Sequence, residues 1–301
     1  MYWEKYLKVK TLHEAMEILK LYQGKARLIA GGTDLVLQLR EKKKRVSVLV
    51  DISDLPELQY IKEEHGQIKI GAMTTHSQLA ASPLLWEKVI VLAQAASSVG
   101  SPQIRNVGTV GGNIVNAQPA ADTVVALMAL DAKVVVFNND GGEEKIPFSE
   151  LFLGVGESKI DPTSQLLKEI SFSLLPEMRS SLGRLARRKA LALPILNIGI
   201  VLSVNKKENR LHEARICVAP VAPVPMRMKE AEKTLLSRKL SDELLISASK
   251  AAFDAADPRN SKLRGNTAYR KELVRVMTYR TLKTALATRG GVGDEAGSIT
   301  V

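Results

Sequence analysis

The first 55 residues alternate between strand-like and helix-like patterns of apolar positions. A capping box of Thr11 and Glu14 begins the first predicted helix, and Gly24 ends it. The full prediction for this segment is β-α-β-α-β, with helices over 11–22 and 35–42 and strands over 25–30 and 46–52. Strands that alternate with helices are typical of a small α/β lobe.

The pattern changes after residue 56, where shorter apolar runs are separated by polar turns. We expect one hairpin around residues 63–66 and another around residues 138–142. An irregular stretch is expected over 100–107, and long loops inside compact domains are usually functional. The other predicted elements are strands over 58–61, 67–70, 132–137 and 143–146 and helices over 75–81, 84–99 and 120–130.

The last third of the chain reads as a separate unit. Its predicted elements are strands over 196–204 and 213–218, a proline-restrained extended segment over 219–225, and helices over 228–236, 241–256 and 269–286. We therefore divide the chain into an N-terminal domain over 1–176, with lobes over about 1–55 and 56–176, and a C-terminal domain over 177–286. Residues 287–301 are predicted to form a flexible, glycine-rich tail.

Two short glycine turns interrupt these patterns. The first is Ala30-Gly31-Gly32-Thr33-Asp34 and the second is Thr109-Val110-Gly111-Gly112-Asn113. Paired glycines let the backbone bend tightly and approach a ligand without a Cβ in the way. Successive amides at such a turn can form a concave anion site, to which the start of a following helix adds positive potential. The two turns together indicate a ligand with two negative charges, or a long ligand held at several points.

Composition and charge narrow the function classes. The chain has 301 residues, of which 45% are hydrophobic and 25% charged, as in ordinary globular proteins. No apolar run reaches the roughly 18 residues of a membrane span, and residues 1–6 lack a signal-peptide core, so we expect a cytoplasmic protein that does not enter a membrane. The net charge of +11 favours an anionic ligand, an acidic partner or nucleic acid. Because only 4% of residues are aromatic and no recognition motif is present, nucleic acid is disfavoured, and the basic run 42–45 is expected to be a solvated helix end.

The sequence offers little covalent or metal chemistry of its own. The chain has a single cysteine, Cys217, so an iron–sulfur cluster held by four thiolates of this chain is excluded. Cys217 lies in an apolar run and is expected to be a buried core residue. The four histidines show no metal-ligand spacing, and no nucleophile elbow is present. His76 is expected at a helix start or on the surface, with a place near a ligand as the alternative. No catalytic residue and no metal ligand is predicted.

An ordered set of motifs resembles one family. Residues 28–35, 103–106, 109–113 and 119–122 resemble the FAD-binding (medium) subunit of the molybdenum hydroxylases, close to bacterial xanthine dehydrogenases. The resemblance covers about residues 1–286 and extends to the Arg187-Arg188-Lys189-Ala190-Leu191 stretch. It implies the α+β class: a two-lobed FAD-binding domain of the vanillyl-alcohol-oxidase (PCMH-like) type, followed by an α/β C-terminal domain.

The resemblance also implies the residues that contact FAD. The first turn would supply backbone donors to the pyrophosphate from Leu28, Ile29, Ala30, Gly31, Gly32, Thr33, Asp34 and Leu35. The flavin side would involve Val99, Thr109, Gly111, Gly112, Asn113, Asp122, Leu167 and Arg184. Two carboxylates have structural alternatives: Asp34 as the cap of the helix that begins at Leu35, and Asp122 as an acidic residue in the first turn of its helix.

The same resemblance implies the partners. An iron–sulfur small subunit and a large subunit with the molybdenum cofactor would supply electrons, which pass through non-covalent FAD to NAD⁺ or another acceptor. A purine substrate is favoured by resemblance alone, since the molybdenum site would lie on another chain. Two alternatives stay open at this point: a stand-alone FAD-dependent oxidoreductase of the same fold, and a basic nucleotide- or nucleic-acid-binding protein.

Overall fold

The computed structural model describes residues 2–188, 191–236 and 238–288. Contacts group the chain into two compact units that interleave along the sequence. Unit one comprises residues 1–78, 102–117 and 132–172, and unit two comprises residues 79–101, 118–131 and 173–301. Two segments, 79–101 and 118–131, therefore cluster with the C-terminal residues. The division at residue 176 stays a prediction, and the predicted tail lies outside the described residues from position 289 onward.

Unit one begins with a parallel three-stranded sheet. Its strands are β1 (Lys5–Lys8), β2 (Ala26–Ile29) and β3 (Val48–Asp51), in the order β1-β3-β2. Helix α1 (Leu12–Tyr22) begins as predicted, because the Thr11 side chain accepts a hydrogen bond from the Glu14 amide at 3.1 Å. Helix α2 (Leu35–Arg40) connects β2 to β3. The sheet places the first glycine turn at its carboxyl edge, directly after β2.

A five-stranded sheet forms the rest of the unit-one core. Its strands are β4 (Ile61–Glu64), β5 (Gln67–Gly71), β6 (Lys133–Asn138), β7 (Glu143–Pro147) and β10 (Gln165–Ser173), in the order β4-β5-β10-β6-β7. The small hairpin of β8 (Phe152–Gly154) and β9 (Glu157–Ser158) also lies in this unit. The predicted strand over 58–61 is wrong, since Pro56–Leu58 form a 3₁₀ turn that buries Leu58 and the strand starts at Ile61.

Short helices follow, and three predictions about them need correction. The helices are α3 (His76–Ala81), α4 (Pro83–Lys88), α5 (Ile90–Ser98), α6 (Pro102–Val107), α7 (Val110–Val115) and α8 (Asp122–Ala129). The predicted helix over 84–99 is broken at Val89, which leaves the helical region at φ −142°. The stretch 100–107, predicted to be irregular, instead contains α6. Its first residue is Pro102, and a proline is tolerated there because the first amide of a helix has no intrahelical partner. The second glycine pair lies inside α7.

Unit two is built on an antiparallel sheet with helices on both faces. The strands are β11 (Met178–Ala186), β12 (Pro194–Asn205), β13 (Arg210–Ala219) and β14 (Met226–Arg227), in sequential order. The C-terminal helices are α9 (Lys229–Leu236), α10 (Asp242–Ala255) and α11 (Thr267–Ala287). A Cβ on Gly183 would meet Thr281 of α11, and a Cβ on Gly199 would lie 2.9 Å from the Val125 carbonyl of α8. Gly183 lies on β11 and Gly199 on the neighbouring β12, and the two glycines face opposite sides of the sheet. Helices therefore cover β12 on both faces, which explains its nearly unbroken apolar sequence.

Two sequence predictions about single features can be checked in the fold. Cys217 is fully buried in β13, as predicted, and burial raises the pKa of its thiol. Within the described residues, no helix is both long and apolar enough to cross a membrane.

Candidate functional site

The first glycine turn presents a run of free backbone amides. Among the described residues, the amides of the five residues from Gly31 to Leu35 donate to no backbone carbonyl; the first bond after the turn runs from the Val36 amide to the Gly32 carbonyl, at 3.0 Å. Gly32 has φ +68°, a left-handed conformation that glycine adopts without strain. Helix α2 has only six residues, so its dipole adds little, and the unpaired amides are the main feature that this turn offers to an anion.

Close backbone contact explains why Gly31 must be a glycine. A Cβ at this position would lie 1.8 Å from the Val107 carbonyl oxygen, at the end of α6. Gly108 approaches the same region, where an added Cβ would lie 2.9 Å from the Ile104 carbonyl and 3.7 Å from Thr33 Oγ1. The first turn is therefore packed directly against the segment that leads into the second turn.

The second glycine turn has its amides occupied. The Val110 and Gly111 amides donate to the carbonyls of Thr74 and Ala72 at 3.0 and 2.9 Å. The next two amides donate to Thr109, that of Gly112 to Oγ1 at 3.1 Å and that of Asn113 to the carbonyl at 3.0 Å. The expectation of an anion site made of successive amides at this turn is wrong. Its glycines serve packing, since a Cβ on Gly111 would lie 2.7 Å from the Ala72 carbonyl.

Asp34 occupies the N-cap position of α2 without capping it. Its side chain makes no cap hydrogen bond, so the expected capping role is wrong. The carboxylate instead accepts hydrogen bonds from Asn116 and Thr33. Although part of the residue is exposed, desolvation by the surrounding turn raises the pKa of Asp34, while those two bonds lower it. A hydrogen bond of 3.0 Å from Gln38 Nε2 to Asn116 Oδ1 further joins α2 to the end of α7.

His76 lies beside the second turn. It is the first residue of α3, as one of its predicted placements had it, and its side chain is buried. Its amide donates to the Gly108 carbonyl at 3.0 Å, and its Nδ1 has no hydrogen-bond partner among the described residues. Burial, helped by the nearby Arg105, lowers the pKa of His76 from 6.5 to about 4, so the ring is neutral at pH 7.

Unit two brings two of the predicted site residues into one buried cluster. Arg184 Nε donates to Asp122 Oδ1 at 2.8 Å, and their side chains are only 14% and 9% exposed. Asn197 Nδ2 donates to the same oxygen at 3.0 Å. Burial raises the pKa of Asp122, and these two partners bring it part of the way back. Asp122 is also the first residue of α8, which is the predicted alternative of an acidic residue in the first turn of a helix. The sequence did not indicate its ion pair with Arg184.

The two predicted apolar contacts lie in different units. Leu167 is a buried residue of β10 in unit one, where it pairs with Val136 of β6. Val99 follows the last residue of α5 in unit two and is partly buried. Within the stretches that the structure describes, no group of three or more His, Cys, Asp or Glu side chains could hold a metal ion.

Comparison with known proteins decides the family. Residues 3–174 match the model of the FAD binding domain in molybdopterin dehydrogenase. The chain belongs to this family. Residues 183–285 match the CO dehydrogenase flavoprotein C-terminal domain. The predicted fold class is confirmed, with an FAD-binding domain followed by this C-terminal domain, and the chain is an FAD-dependent oxidoreductase subunit of the molybdenum hydroxylase type.

Individual relatives cover almost the whole chain. The putative xanthine dehydrogenase FAD-binding subunit of Escherichia coli (strain K12) is 31% identical over 289 residues, 95% of this chain and 97% of that protein. The 6-hydroxypseudooxynicotine dehydrogenase complex subunit alpha of Paenarthrobacter nicotinovorans is 33% identical over 281 residues, 93% and 94% of the two chains. Among solved structures, carbon monoxide dehydrogenase of Hydrogenophaga pseudoflava, in a form that lacks the Mo-pyranopterin moiety, matches with a TM-score of 0.87 at 28% identity over 95% of this chain and 98% of that chain.

The structure adds polar residues that sequence reasoning missed. Asn197 holds Asp122, yet its own Oδ1 is buried without a hydrogen-bond partner among the described residues. The signal was present, because an asparagine inside the apolar run of β12 must find a partner when buried. Asn116 gave no such signal, since its partners on α2 are almost eighty residues away in the sequence.

Proposed function

We propose that this FAD-binding subunit holds the pyrophosphate of FAD on the first glycine turn. The observation that supports the proposal is the run of unpaired amides from Gly31 to Leu35. A hydrogen bond to a charged acceptor contributes about 1.5–3 kcal/mol, so three or four such amides could retain FAD without a lysine clamp. The remaining contacts inferred from the family resemblance, from Leu28 to Arg184, belong to the same proposal.

The second turn contributes to this site through its shape and its side chains. Thr109 Oγ1 accepts a hydrogen bond from the Gly112 amide, and this bond does not use its hydroxyl hydrogen. Gly112 is exposed, and a Cβ there would meet no atom other than Thr109 Oγ1 within 4 Å. We infer that the side chains of Thr109 and Asn113 provide the polar contacts at this turn and that Gly111 fixes its shape by packing against Ala72.

The Asp122–Arg184–Asn197 cluster would hold a fixed charge pattern toward the flavin. Asp122 Oδ1 accepts from both Arg184 and Asn197, which fixes the orientation of the carboxylate. Arg184 is fixed in turn by donating to the Ala192 carbonyl at 2.6 Å. Because Asp122 offsets the charge of Arg184 within the pair, the cluster offers fixed dipoles and no net positive charge.

When bound, FAD supplies both one-electron and hydride transfer. We propose that the chain works in a complex in which electrons from the iron–sulfur clusters of a small subunit, fed by a molybdenum-cofactor subunit, reach NAD⁺ or another acceptor by way of FAD. The names of the relatives support this assembly, since they describe subunits of xanthine, 6-hydroxypseudooxynicotine and carbon monoxide dehydrogenases. Their different substrates agree with a substrate site on another chain.

The flavin is proposed to be non-covalent. Neither glycine turn contains a histidine, His76 beside the second turn is buried, and Cys217 is buried in unit two. Denaturing the loaded chain with acid should release all flavin into the supernatant as FAD. Flavin that stays on the precipitated chain would contradict this part of the proposal.

The electron path is tested by comparing the isolated chain with the complex. The purified full chain should bind one FAD and reduce artificial dyes with NADH, but it should not oxidise a molybdenum-hydroxylase substrate. The complex should reduce NAD⁺ with such a substrate. Substrate oxidation by the isolated chain would identify a stand-alone oxidoreductase instead, and a complex that reduces only other acceptors would remove NAD⁺ from the account.

A further inference from the structure

A basic cleft opens at the amino edge of the β1-β3-β2 sheet in unit one. It has a volume of about 560 Å³ and is lined by Lys25, Lys42, Lys44 and Arg45 together with Tyr2 and Glu4. Strand β2 runs from this edge, after Lys25, to the first glycine turn at its other end. The cleft is therefore separate from the proposed pyrophosphate site and lies at the opposite edge of the same sheet.

Within the part of the chain that the structure describes, four cations of this cleft have no anionic partner. Among the described residues, no salt bridge or side-chain hydrogen bond satisfies the charged groups of Lys25, Lys42, Lys44 or Arg45, whereas the neighbouring Lys43 pairs with Glu41 at 2.5 Å. Lys44 is partly buried, so its charge is also partly removed from water. Burial and repulsion by Arg27 both lower the pKa of Lys44. The other three cations are exposed, so the cost of an unpartnered, partly buried charge falls on Lys44 alone.

Several carbonyls at the ends of α1 and α2 are already hydrogen-bonded by backbone amides. The carbonyls of Gln38, Leu37 and Leu39 at the end of α2 already accept hydrogen bonds from the amides of residues 41–44. At the end of α1, the Leu19 carbonyl accepts from the Gln23 amide and the Tyr22 carbonyl from the Lys25 amide. These five carbonyls therefore need no lysine side chain. Lys42, Lys43 and Arg45 are exposed, as expected for a solvated helix end, whereas Lys44 is partly buried in the cleft.

The charge balance of the cleft remains positive. Its four cations and the single carboxylate of Glu4 give a net charge of 4 − 1 = +3. Two helix C-termini, α1 and α2, contribute at most about −0.5 each. At least about two positive charges are left, enough to balance a dianion.

We propose that this cleft is a second anion site of the subunit and that it binds a phosphate-bearing small molecule of nucleotide size. A volume of about 560 Å³ is ordinary for a small-molecule site. Arg45 offers the planar fork that suits phosphate, and the three lysines offer point charges around it. The exposed ring of Tyr2 lines the same cleft and could cover an aromatic base. The proposal does not depend on where FAD binds.

The test uses the full chain saturated with FAD, with inorganic pyrophosphate as the probe in isothermal titration calorimetry at fixed ionic strength. Pyrophosphate should bind saturably with one site per chain beyond the bound FAD. The double variant Lys44→Ala/Arg45→Ala should weaken that binding about tenfold or more while the FAD content stays at one per chain.

A matched double variant, Lys10→Ala/Lys145→Ala, removes the same charge from exposed positions outside the cleft. It should change pyrophosphate binding less than about twofold, because distant exposed charges are screened by salt. Equal weakening by both variants would show a general charge effect and overturn the proposal. Absence of saturable binding would overturn it as well, and so would a cleft variant that binds pyrophosphate normally but no longer joins its partner subunits, since the cleft would then be a protein interface.

Discussion

In the first glycine turn the five amides from Gly31 to Leu35 donate to no carbonyl of the described chain, whereas in the second turn the four amides from Val110 to Asn113 are all occupied. The two turns have the same Gly-Gly pair followed by a small polar residue. Their difference comes from the neighbouring backbone. The carbonyls of Ala72 and Thr74 accept hydrogen bonds from amides of the second turn, whereas no carbonyl of the described residues accepts from the amides of the first turn. A glycine pair therefore marks a close backbone approach, and only the hydrogen-bond accounting shows whether the approach serves a ligand or the fold.

The largest expected effect comes from Gly31→Ala. The new Cβ would lie 1.8 Å from the Val107 carbonyl, so the backbone of one segment must move. We expect a loss of at least about 3 kcal/mol in the free energy of unfolding and loss of bound FAD, measured by urea unfolding and by the FAD content of the purified chain. Gly142→Ala in the β6–β7 hairpin, where the Cβ would meet only Asp140, is the control and should cost less than about 1 kcal/mol. A Gly31→Ala chain with normal stability would contradict the packed contact.

The next effect is the pH dependence of stability that arises from His76, the buried histidine beside the second turn. The folded imidazole stays neutral down to about pH 4, while in the unfolded chain it takes up a proton near pH 6.5. The unfolded state thus binds more protons between these values, so stability falls as the pH is lowered through this window. The contribution lost by pH 5 is about 2 kcal/mol. Urea unfolding at pH 7 and pH 5 should show a smaller drop in the free energy of unfolding for His76→Gln than for the wild type. An equal drop would contradict the assignment to His76. His13→Gln, at an exposed position of α1, is the matched control variant.

A matched pair of substitutions separates the two turns. Gly32→Ala places a side chain at φ +68°, which costs about 1–2 kcal/mol and redirects the amides around it, so FAD affinity should fall about tenfold or more. Gly112→Ala lies on an exposed position of α7 and approaches only Thr109 Oγ1, so stability should change by less than about 1 kcal/mol and FAD affinity by less than about threefold. Fluorescence titration of the apo chain with FAD measures both. Equal losses of affinity would remove the distinction between the turns.

The smallest effects compare the two residues at the helix starts. Thr109→Val removes the cap of the Gly112 amide and should cost about 1 kcal/mol of stability. Asp34→Ala removes no cap, and the two hydrogen bonds that it does remove are opposed by the desolvation of the carboxylate, so stability should change by less than about 0.5 kcal/mol. It also removes a carboxylate beside the proposed pyrophosphate site, so FAD should bind somewhat more tightly. Thermal unfolding and FAD titration of both variants check these values, and a loss of about 1 kcal/mol in Asp34→Ala would restore its capping role.

Much of the fold could be predicted because it is encoded locally. The cap at Thr11 and the apolar periodicities located α1, α9, α10 and α11 to within about two residues. Strands β10 and β11 were missed, because polar residues interrupt their apolar pattern and the partners that bury them are distant in sequence. Helix α6 was missed because its glycine- and proline-rich approach resembles a loop.

The site was predictable as a set of residues but not as a set of contacts. The motifs pointed to both glycine turns, to Asp122 and to Arg184, and to the FAD-binding family that the comparisons confirm. They could not indicate that Arg184 donates to Asp122, or that Ala72 and Thr74 occupy the amides of the second turn, since these partners come from strands and turns far along the chain. Burial decides such pairings, and burial is a property of the folded chain.

The most direct test of the account is amide hydrogen exchange of the full chain with and without FAD, read on peptides that cover residues 30–36 and 109–114. We expect FAD to slow exchange markedly at Gly31–Leu35, where the amides are unpaired, and to change exchange little at Val110–Asn113, where they are already bonded. Unchanged exchange at Gly31–Leu35 in the FAD-saturated chain would contradict the central claim that this turn holds the pyrophosphate.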